Sequence, residues 1–366
     1  MEVGSGPVIL TGQNGSGKTN VLEALSLLVP GRGLRAVKLA DISRRDPNCN
    51  DASNRLWAVA AKLNTKDGSV RIGTGREIQV GSKRDKRVIQ LDGKIIRSQS
   101  ILGKTLNVQW LTPQMDRLFL DGPYARRRFL DRLVFGVDPS HAGRVSAYEH
   151  AMRERSKLLR NSQFGNKADP KWISALEETM ASKGVAVIAA RMELATRIDQ
   201  IACEAAKDGI FPSISLCVTG IVEQWLNSYP ALEVEDRIVN FLAKSRQDDC
   251  ENGFAEIGPH RSDIVVYHLG SGQKVQSCST GEQKASLISL ILANARLGAK
   301  EQGVLPLLLL DDVTAHLDVV RREALFDEIL KLGIQAWITG TDANMFKSII
   351  GKAQFFNVED SKIVSA

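Results

Sequence analysis

One segment constrains the fold of this chain more than any other, the glycine-rich run 12–19, which reads Gly-Gln-Asn-Gly-Ser-Gly-Lys-Thr. It follows a short apolar run, 6–11, whose β-branched residues predict a buried strand. It precedes a run, 18–28, whose apolar residues recur at helical spacing. A strand, a Gly-x-x-x-x-Gly-Lys-Thr turn and a helix form the context of a phosphate-binding loop (P-loop). The sequence therefore predicts an α/β fold with a phosphate site at one strand end.

The residue types in this P-loop specify the ligand chemistry. The glycines let backbone N–H groups turn toward phosphate, and the helix N-terminus adds partial positive charge. We expect Lys18 to reach the β- and γ-phosphates of ATP and to act catalytically, and the Thr19 hydroxyl to bind Mg²⁺. The alternative is a glycine-rich turn that binds nothing. The predicted nucleotide-binding residues are Gly12, Gln13, Asn14, Gly15, Ser16, Gly17, Lys18 and Thr19.

Two carboxylates near the other end of the chain form the second motif. Leu307–Leu310 is an uninterrupted leucine run, which predicts a strand buried on both faces, and Asp311 and Asp312 follow it directly. In an open parallel sheet, ligands bind at the carboxyl ends of the strands. We expect Asp311 to hold Mg²⁺, directly or through water, and Asp312 to polarise the attacking water. The alternative is that Asp312 caps the next helix.

The distance along the chain between the two motifs implies a large insertion. Two helical runs, 142–159 and 171–206, flank a polar turn at 161–166, and together they predict an antiparallel helical arm. The other predicted elements are strands at 56–63, 70–73 and 88–96 with a turn at Asp92-Gly93, a helix at 283–299, a strand at 305–310, a helix at 319–332 and a strand at 335–339. The predicted domains are a head with a mixed sheet and helices, built from 1–112 and 255–366, and a mainly α-helical arm, 113–254.

A third motif, Ser279-Thr280-Gly281-Glu282-Gln283, precedes a predicted helix. One interpretation is a capping box, in which Ser279 caps the helix and Glu282 bonds back to it. The other is that Ser279 and the neighbouring backbone N–H groups, including that of Gly281, hold a γ-phosphate.

The third motif resembles the signature motif of ABC-type ATPases, in which the signature of one subunit closes over the P-loop of another. The resemblance implies that Ser279 and Gly281 act in trans. It also implies a D-loop at Ala315–Asp318, where Asp318 crosses the dimer interface, and a switch residue at Asp342, which follows Thr339-Gly340-Thr341. Most members of this class have Glu where this chain has Asp312, and the shorter carboxylate suggests slow hydrolysis.

Further segments narrow the resemblance to the RecF family, whose members have an ABC-type head and a short arm. They are Gly122–Asp131, Gly258–Asp263, 279–284 and Ile338–Asp342. The family usually begins with a strand carrying Phe-Arg-Asn ahead of the P-loop. This sequence starts a few residues before its first predicted strand, so we expect it to lack that element. Gln114 matches a Mg²⁺-contacting Q-loop glutamine only weakly, and the alternative is a polar loop residue.

Charge is distributed unevenly along the chain. Residues 1–165 contain 28 Lys and Arg against 15 Asp and Glu, whereas residues 166–366 contain 20 against 27. This asymmetry favours a surface that faces a polyanion. The alternatives are a solvated face or, for 126–128, internal ion pairs. The candidate DNA-binding residues are Arg84, Lys86, Arg87, Arg126, Arg127 and Arg128, with Arg153, Arg155, Lys157 and Arg160 on the arm. No base-reading motif is present, so we expect sequence-independent binding to duplex or junction DNA.

Composition excludes several other classes. No apolar run approaches the roughly 18–20 residues of a membrane span, and the N-terminal residues lack the pattern of a signal peptide. The five cysteines are scattered and form no C-x-x-C pair, which argues against a disulfide framework or a zinc site and favours the cytoplasm.

The resemblance implies a weak, DNA-stimulated ATPase that uses ATP and Mg²⁺ in recombinational repair and replication restart. Two subunits would clamp DNA when ATP binds and release it on hydrolysis, with RecR and RecO as partners. One alternative is the nucleotide-binding subunit of a membrane transporter, which shares these motifs but usually has a shorter insertion and a switch histidine. Another is a DNA-binding scaffold with a vestigial ATP site.

Overall fold

The computed structural model describes residues 1–43, 56–65, 68–77, 86–96, 100–163, 169–205, 209–302 and 305–365. Contacts between residues divide the chain into two units, one formed by Met1–Pro113 and Val304–Ala366 and the other by Gln114–Gly303.

The described strands are, in chain order, β1 (Val8–Thr11), β2 (Ala58–Thr65), β3 (Gly68–Glu77), β4 (Lys86–Leu91), β5 (Lys94–Ile96), β6 (Val108–Leu111), β7 (Ile214–Thr219), β8 (Asp263–His268), β9 (Gln273–Lys274), β10 (Leu307–Leu310), β11 (Ala336–Gly340), β12 (Gln354–Glu359) and β13 (Lys362–Ser365). The described α-helices are α1 (Lys18–Ser26), α2 (Ser100–Thr105), α3 (Pro123–Val137), α4 (His141–Gln163), α5 (Pro170–Ala205), α6 (Ile221–Ser228), α7 (Ala231–Lys244), α8 (Arg246–Asn252), α9 (Thr280–Gln302) and α10 (Val319–Leu332).

A mixed sheet of the order β13-β12-β1-β11-β10-β6 forms the centre of the first unit. All neighbours are parallel except β13, which pairs antiparallel with β12. Strands β10 and β11 are buried along their whole length, as expected for apolar strands covered on both faces. The register pairs Thr11 with Gly340 and Leu310 with Ile338, so the chain segments that leave β1 and β10 emerge at the same edge of the sheet, on either side of β11.

A second, antiparallel sheet in this unit has the order β2-β3-β4-β5. Its last two strands are joined at Asp92 and Gly93, which have φ values of 47° and 79°, so the predicted turn is present. Buried side chains of this sheet pack with Leu28 and Leu102. The α/β class with a mixed sheet is therefore confirmed.

The second unit contains the two long predicted helices, α4 and α5. They pack together around an apolar cluster that includes Tyr148, Met180 and Ile188. Although α5 runs over 36 residues, no helix in the described ranges is both long enough and apolar enough to cross a bilayer. The predicted polar turn lies partly outside the described residues.

The unit boundaries differ from the predicted domain boundaries at one place. The segment 255–303, predicted as part of the head, groups with the helical arm because α9 packs against α5 and β7. The Ser289 hydroxyl on α9 also donates to the Pro212 carbonyl at 2.9 Å. The assignment of a head and an arm as functional domains stays a prediction.

Candidate functional site

The P-loop forms a tight turn between β1 and α1. Gly12, Gly15 and Gly17 all have positive φ values, of 149°, 82° and 109°, which side chains with a Cβ rarely adopt. Space is limiting as well at Gly12, where an added Cβ would lie 2.3 Å from the Val358 carbonyl oxygen. The glycine spacing is thus required by the backbone path, and the path directs the loop around the N-terminus of α1.

Lys18 is the first residue of α1, and its side chain folds back over the loop. Its Nζ donates to the carbonyl oxygens of Gly12 and Gln13 at 2.7 and 2.8 Å. Burial lowers the pKa of this amine, while the negative charges of Asp312 and Asp311 act in the opposite direction. The lysine predicted to bind phosphate therefore lies in the field of both predicted carboxylates.

The carboxylate that follows β10 meets the P-loop directly. The Thr19 hydroxyl donates to Asp311 Oδ1 at 2.9 Å, and the Thr339 hydroxyl donates to the same oxygen at 2.9 Å. Two residues that are 292 positions apart are thus brought together, as the rule for the carboxyl ends of parallel strands predicted. Asp311 is buried, so its charge acts in a low-dielectric environment.

Asp312 occupies an unusual backbone conformation beside this cluster. Its φ is 49°, and its N–H donates to the Thr339 hydroxyl at 2.8 Å. Although Asp312 precedes the 3-10 helix Val313–His316, its side chain makes no capping hydrogen bond there. Residues held in the left-handed region cluster at functional sites. The geometry does not support the capping alternative, and the carboxylate is left for another role.

Thr339 is a site residue that the motif analysis did not single out. It lies on β11, between the ends of β1 and β10, and its hydroxyl links the Asp311 carboxylate to the Asp312 backbone. A polar residue within the otherwise apolar strand 336–340, three positions before the predicted switch residue, was the available signal.

The donor groups at this edge fit a nucleoside triphosphate with Mg²⁺. The Ser16 hydroxyl oxygen is buried and has no hydrogen-bond partner among the residues that the structure describes, which is the state expected of a group that contacts a ligand. The oxygens of Thr19 and Asp311 are the hard ligands that Mg²⁺ prefers. A bound Mg²⁺ would supply charge neutralisation to the phosphates.

Asp318 and Asp342 both act as helix caps. Asp318 accepts from the Arg321 N–H at 2.8 Å at the start of α10. Asp342 is exposed and accepts from both the backbone and the side chain of Asn344, at 2.8 and 2.9 Å. Their predicted roles at an interface and as a switch stay predictions.

The signature segment, 279–283, belongs to the second unit and has the geometry of a capping box. The Ser279 N–H and hydroxyl both donate to Glu282 Oε2 at 3.0 Å, and the Glu282 N–H donates to the Ser279 hydroxyl oxygen at 3.3 Å. Ser279 is nevertheless exposed, Gly281 lies in the first turn of α9, and both are accessible to a partner. The capping interpretation is therefore confirmed, and it does not exclude the phosphate-binding one.

Gln114 also lies in the second unit, exposed in the 3-10 helix Pro113–Arg117. Asp116 in that helix pairs with the buried Lys284 of α9 at 3.4 Å. This ion pair thus connects the 3-10 helix that carries Gln114 to α9, the helix that begins within the signature segment.

Several predicted DNA-binding arginines turn inward. Arg87 donates to the Thr74 hydroxyl at 2.8 Å and to the carbonyls of Gly31, Leu27 and Val29 after α1, and burial lowers its pKa to about 10. The prediction that Arg87 contacts DNA is therefore replaced by a structural role, in which its guanidinium holds the chain after α1. Lys86 beside it is exposed, and Arg84 lies outside the described residues.

Arg126 and Arg127 are also internal, as the ion-pair alternative proposed. Arg126 binds both carboxylate oxygens of Asp263 at 2.8 and 2.9 Å, and Arg127 donates to the Ser262 carbonyl at 2.8 Å. The two segments Gly122–Asp131 and Gly258–Asp263 thus bind each other. Arg128 differs, since it is exposed and lies 5.7 Å from the ring centroid of Tyr124.

The sequence is similar to a protein family and to individual proteins of known name. The family described as "RecF/RecN/SMC N terminal domain" matches residues 1–363. "DNA replication and repair protein RecF" of Rhizobium etli (strain CIAT 652) is 44% identical over 97% of this chain and 91% of its own length. The protein of the same name from Mesorhizobium japonicum is 42% identical over 99% and 93%.

Solved structures agree on the fold. The chain superposes on a structure of "the recombination mediator protein RecF-ATP in RecFOR pathway" with a TM-score of 0.81 at 22% identity, covering 100% of this chain and 93% of the other. It superposes on an SMC head bound to a domain of ScpA with a TM-score of 0.54 at 16% identity, covering 100% and 92%. At 42–44% identity over nearly the full length of curated relatives, the chain belongs to the RecF family.

Proposed function

We propose that this chain is an ATP-dependent DNA-binding protein of DNA replication and repair, as the names of its curated relatives suggest. The observation that carries the proposal is the bond between Thr19 Oγ1 and Asp311 Oδ1, which joins a P-loop to a carboxylate at a strand end. Lys18 beside this pair supplies the cation that a triphosphate requires.

The site supports slow ATP hydrolysis. Thr19 and Asp311 would hold Mg²⁺, and the Asp312 carboxylate, which makes no capping hydrogen bond to the 3-10 helix Val313–His316, would orient a water molecule. Gln114 stays a weak candidate for a further Mg²⁺ contact. We expect the turnover to be weak and to increase when DNA binds.

The signature segment implies that the site is completed by a second copy of the chain. The exposed Ser279 and the N–H of Gly281 would contact the γ-phosphate of the partner's nucleotide, with Asp318 near the interface and Asp342 as the switch. The Ser279 hydroxyl donates to Glu282 Oε2 within its own chain. To bind a phosphate, this hydroxyl would give up the Glu282 carboxylate and donate to a phosphate oxygen instead. The dimer would clamp DNA at gaps or junctions and release it on hydrolysis, aiding recombinase loading with RecR and RecO.

The exposed cations are the proposed DNA contacts. Arg128 is held over the exposed ring of Tyr124, and Lys86 is exposed on β4, whereas Arg87, Arg126 and Arg127 are engaged within the protein. Lysine and arginine contacts to phosphates release counterions, so binding must weaken as salt is raised.

DNA binding measured with and without ATP at several salt concentrations tests the proposal. We expect affinity for a gapped duplex to require ATP, to fall steeply with salt and to be lost in Lys18→Ala. Arg128→Ala should weaken binding and lower the salt dependence by about one ion. Equal DNA affinity with and without ATP, or no salt dependence, would contradict the proposal, and recovery with solubilised membranes would favour a transporter subunit.

A further inference from the structure

The hairpin formed by β12 and β13 ends in a turn with unusual residues. Glu359 pairs with Lys362, and the two residues between them, Asp360 and Ser361, have φ values of 47° and 64°. A two-residue turn with both φ values positive is a type I′ turn, which strongly prefers Asn-Gly or Asp-Gly. Here the second position carries a side chain, so the turn is held in this conformation at an energetic cost.

This turn lies directly against the P-loop. The Ser361 N–H donates to the Ser16 carbonyl oxygen at 2.9 Å. A Cβ added to Gly17 would lie 3.4 Å from the Ser361 hydroxyl oxygen, and one added to Gly12 would lie 2.3 Å from the Val358 carbonyl oxygen. The β12–β13 hairpin therefore supports the phosphate-binding loop at both of its ends.

The bond to Ser361 fixes the orientation of one peptide group. In a trans peptide the C=O and N–H groups point in opposite directions. When the Ser16 carbonyl points at the hairpin, the N–H of Gly17 in the same peptide group must point to the other side. The N–H groups of a P-loop are the donors that hold phosphates, and a donor fixed in advance binds more tightly than one that must reorient.

We propose that the Asp360–Ser361 turn positions the P-loop, and that Ser361 holds the Ser16–Gly17 peptide so that the Gly17 N–H faces the phosphates of a bound nucleotide. The inference rests on the proposed function, in that the P-loop must bind ATP.

A matched turn in the same unit provides the control. Asp92 and Gly93 join β4 and β5 with φ values of 47° and 79°, and an added Cβ on Gly93 would meet nothing within 4 Å. A β-branched residue disfavours positive φ, so Ser361→Val and Gly93→Val strain equivalent turns, only one of which contacts the P-loop. Ser361→Gly retains the N–H and relieves the strain.

The assay is the affinity for a fluorescent ATP analogue with Mg²⁺, together with ATPase kinetics. Ser361→Val should bind about tenfold more weakly, the loss expected for one hydrogen bond to a charged group. Its KM should rise while kcat changes by less than about twofold, because the contact exists in both ground and transition states. Ser361→Gly and Gly93→Val should bind as the unaltered chain does.

Unchanged affinity in Ser361→Val, or equal losses in Ser361→Val and Gly93→Val, would overturn the proposal. If Ser361→Val does not fold, hydrogen exchange of the unaltered chain decides, since nucleotide should slow exchange at 359–363 and not at 91–94. Exchange at 359–363 that nucleotide leaves unchanged would also overturn it. Lys18→Ala separates the two proposals, since full affinity in that variant would refute ATP binding at the P-loop, whereas the Ser361 results refute only the turn.

Discussion

Arg155 provides the sharpest test of how the second unit is held together. It was a candidate DNA contact on the arm, yet its side chain is buried between α4, α5, α7 and α8. Its guanidinium donates to Glu177 Oε1 at 2.9 Å, to Asp249 Oδ2 at 2.6 Å and to the Leu242 carbonyl at 2.7 Å. We predict that Arg155→Met destabilises this unit strongly.

The magnitude follows from what the substitution leaves behind. Glu177 keeps an ion pair with Arg246, but among the described residues the Asp249 carboxylate keeps only the Ser245 hydroxyl as a donor, at 2.9 Å. The buried Asp249 charge is then uncompensated, because its other oxygen has no partner in the described part of the chain. Removing one member of a buried ion pair costs about 3–5 kcal/mol. The double variant Arg155→Met with Asp249→Asn removes that charge and should recover about 1–3 kcal/mol.

Hydrogen exchange of α5 peptides measures the opening free energy of this unit separately from the other one. Arg153→Ala is the matched control, since Arg153 lies two positions away on α4, is exposed and pairs with Glu149 at 3.5 Å. That change should alter the free energy by less than about 0.5 kcal/mol. A cost below about 1 kcal/mol for Arg155→Met, or equal costs in the two variants, would refute a buried charge network.

Three other substitutions test the site and its surroundings. Asp311→Asn removes a carboxylate that would hold Mg²⁺, so Mg²⁺-dependent affinity for an ATP analogue should fall about tenfold or more, while the affinity measured in EDTA changes little. Arg87→Gln removes the donor that the carbonyls of the buried residues Leu27 and Val29 have after α1, so urea denaturation should show a loss of about 1–3 kcal/mol, with DNA affinity of the folded fraction retained. Burial lowers the pKa of His260 to about 4, so its neutral form contributes stability that is present above its unfolded pKa and is lost as pH falls toward 4. Between pH 7 and pH 4 this loss of unfolding free energy is about 3 kcal/mol for the unaltered chain, and urea titrations at the two pH values should show a smaller loss for His260→Gln. An equal loss in the unaltered chain and in His260→Gln would refute the role of His260 in the pH dependence.

Local patterns predicted the parts of the site that depend on neighbouring residues. The P-loop and the strand before Asp311 each have a short, distinctive pattern, and the geometry of parallel strands then brings Thr19 and Asp311 together. The helix 319–332 was predicted with the bounds that the structure has, because Asp318 caps it and Gly333 ends it in the left-handed conformation.

Long-range partners could not be predicted in the same way. An arginine beside other basic residues has the same local pattern whether it faces solvent or binds a distant carboxylate. Arg126 binds Asp263, which lies 137 positions further along the chain, and Arg155 binds Asp249, which lies 94 positions further along. The role of Ser361 depends on the position of the β12–β13 turn beside the P-loop, which no sequence motif specifies. The grouping of 255–303 with the arm likewise depends on how α9 packs.

We propose that Ser279 of one copy of the chain completes the Lys18 site of a second copy. Sedimentation of the unaltered chain, Lys18→Ala, Ser279→Arg and an equal mixture of the two variants, each with and without ATP, tests it directly. We predict an ATP-dependent dimer for the unaltered chain, monomers for each variant alone, and a dimer in the mixture, where an intact Lys18 meets an intact Ser279 from the other subunit. An unaltered chain that stays monomeric with ATP, or a mixture that behaves as the sum of its parts, would contradict the account.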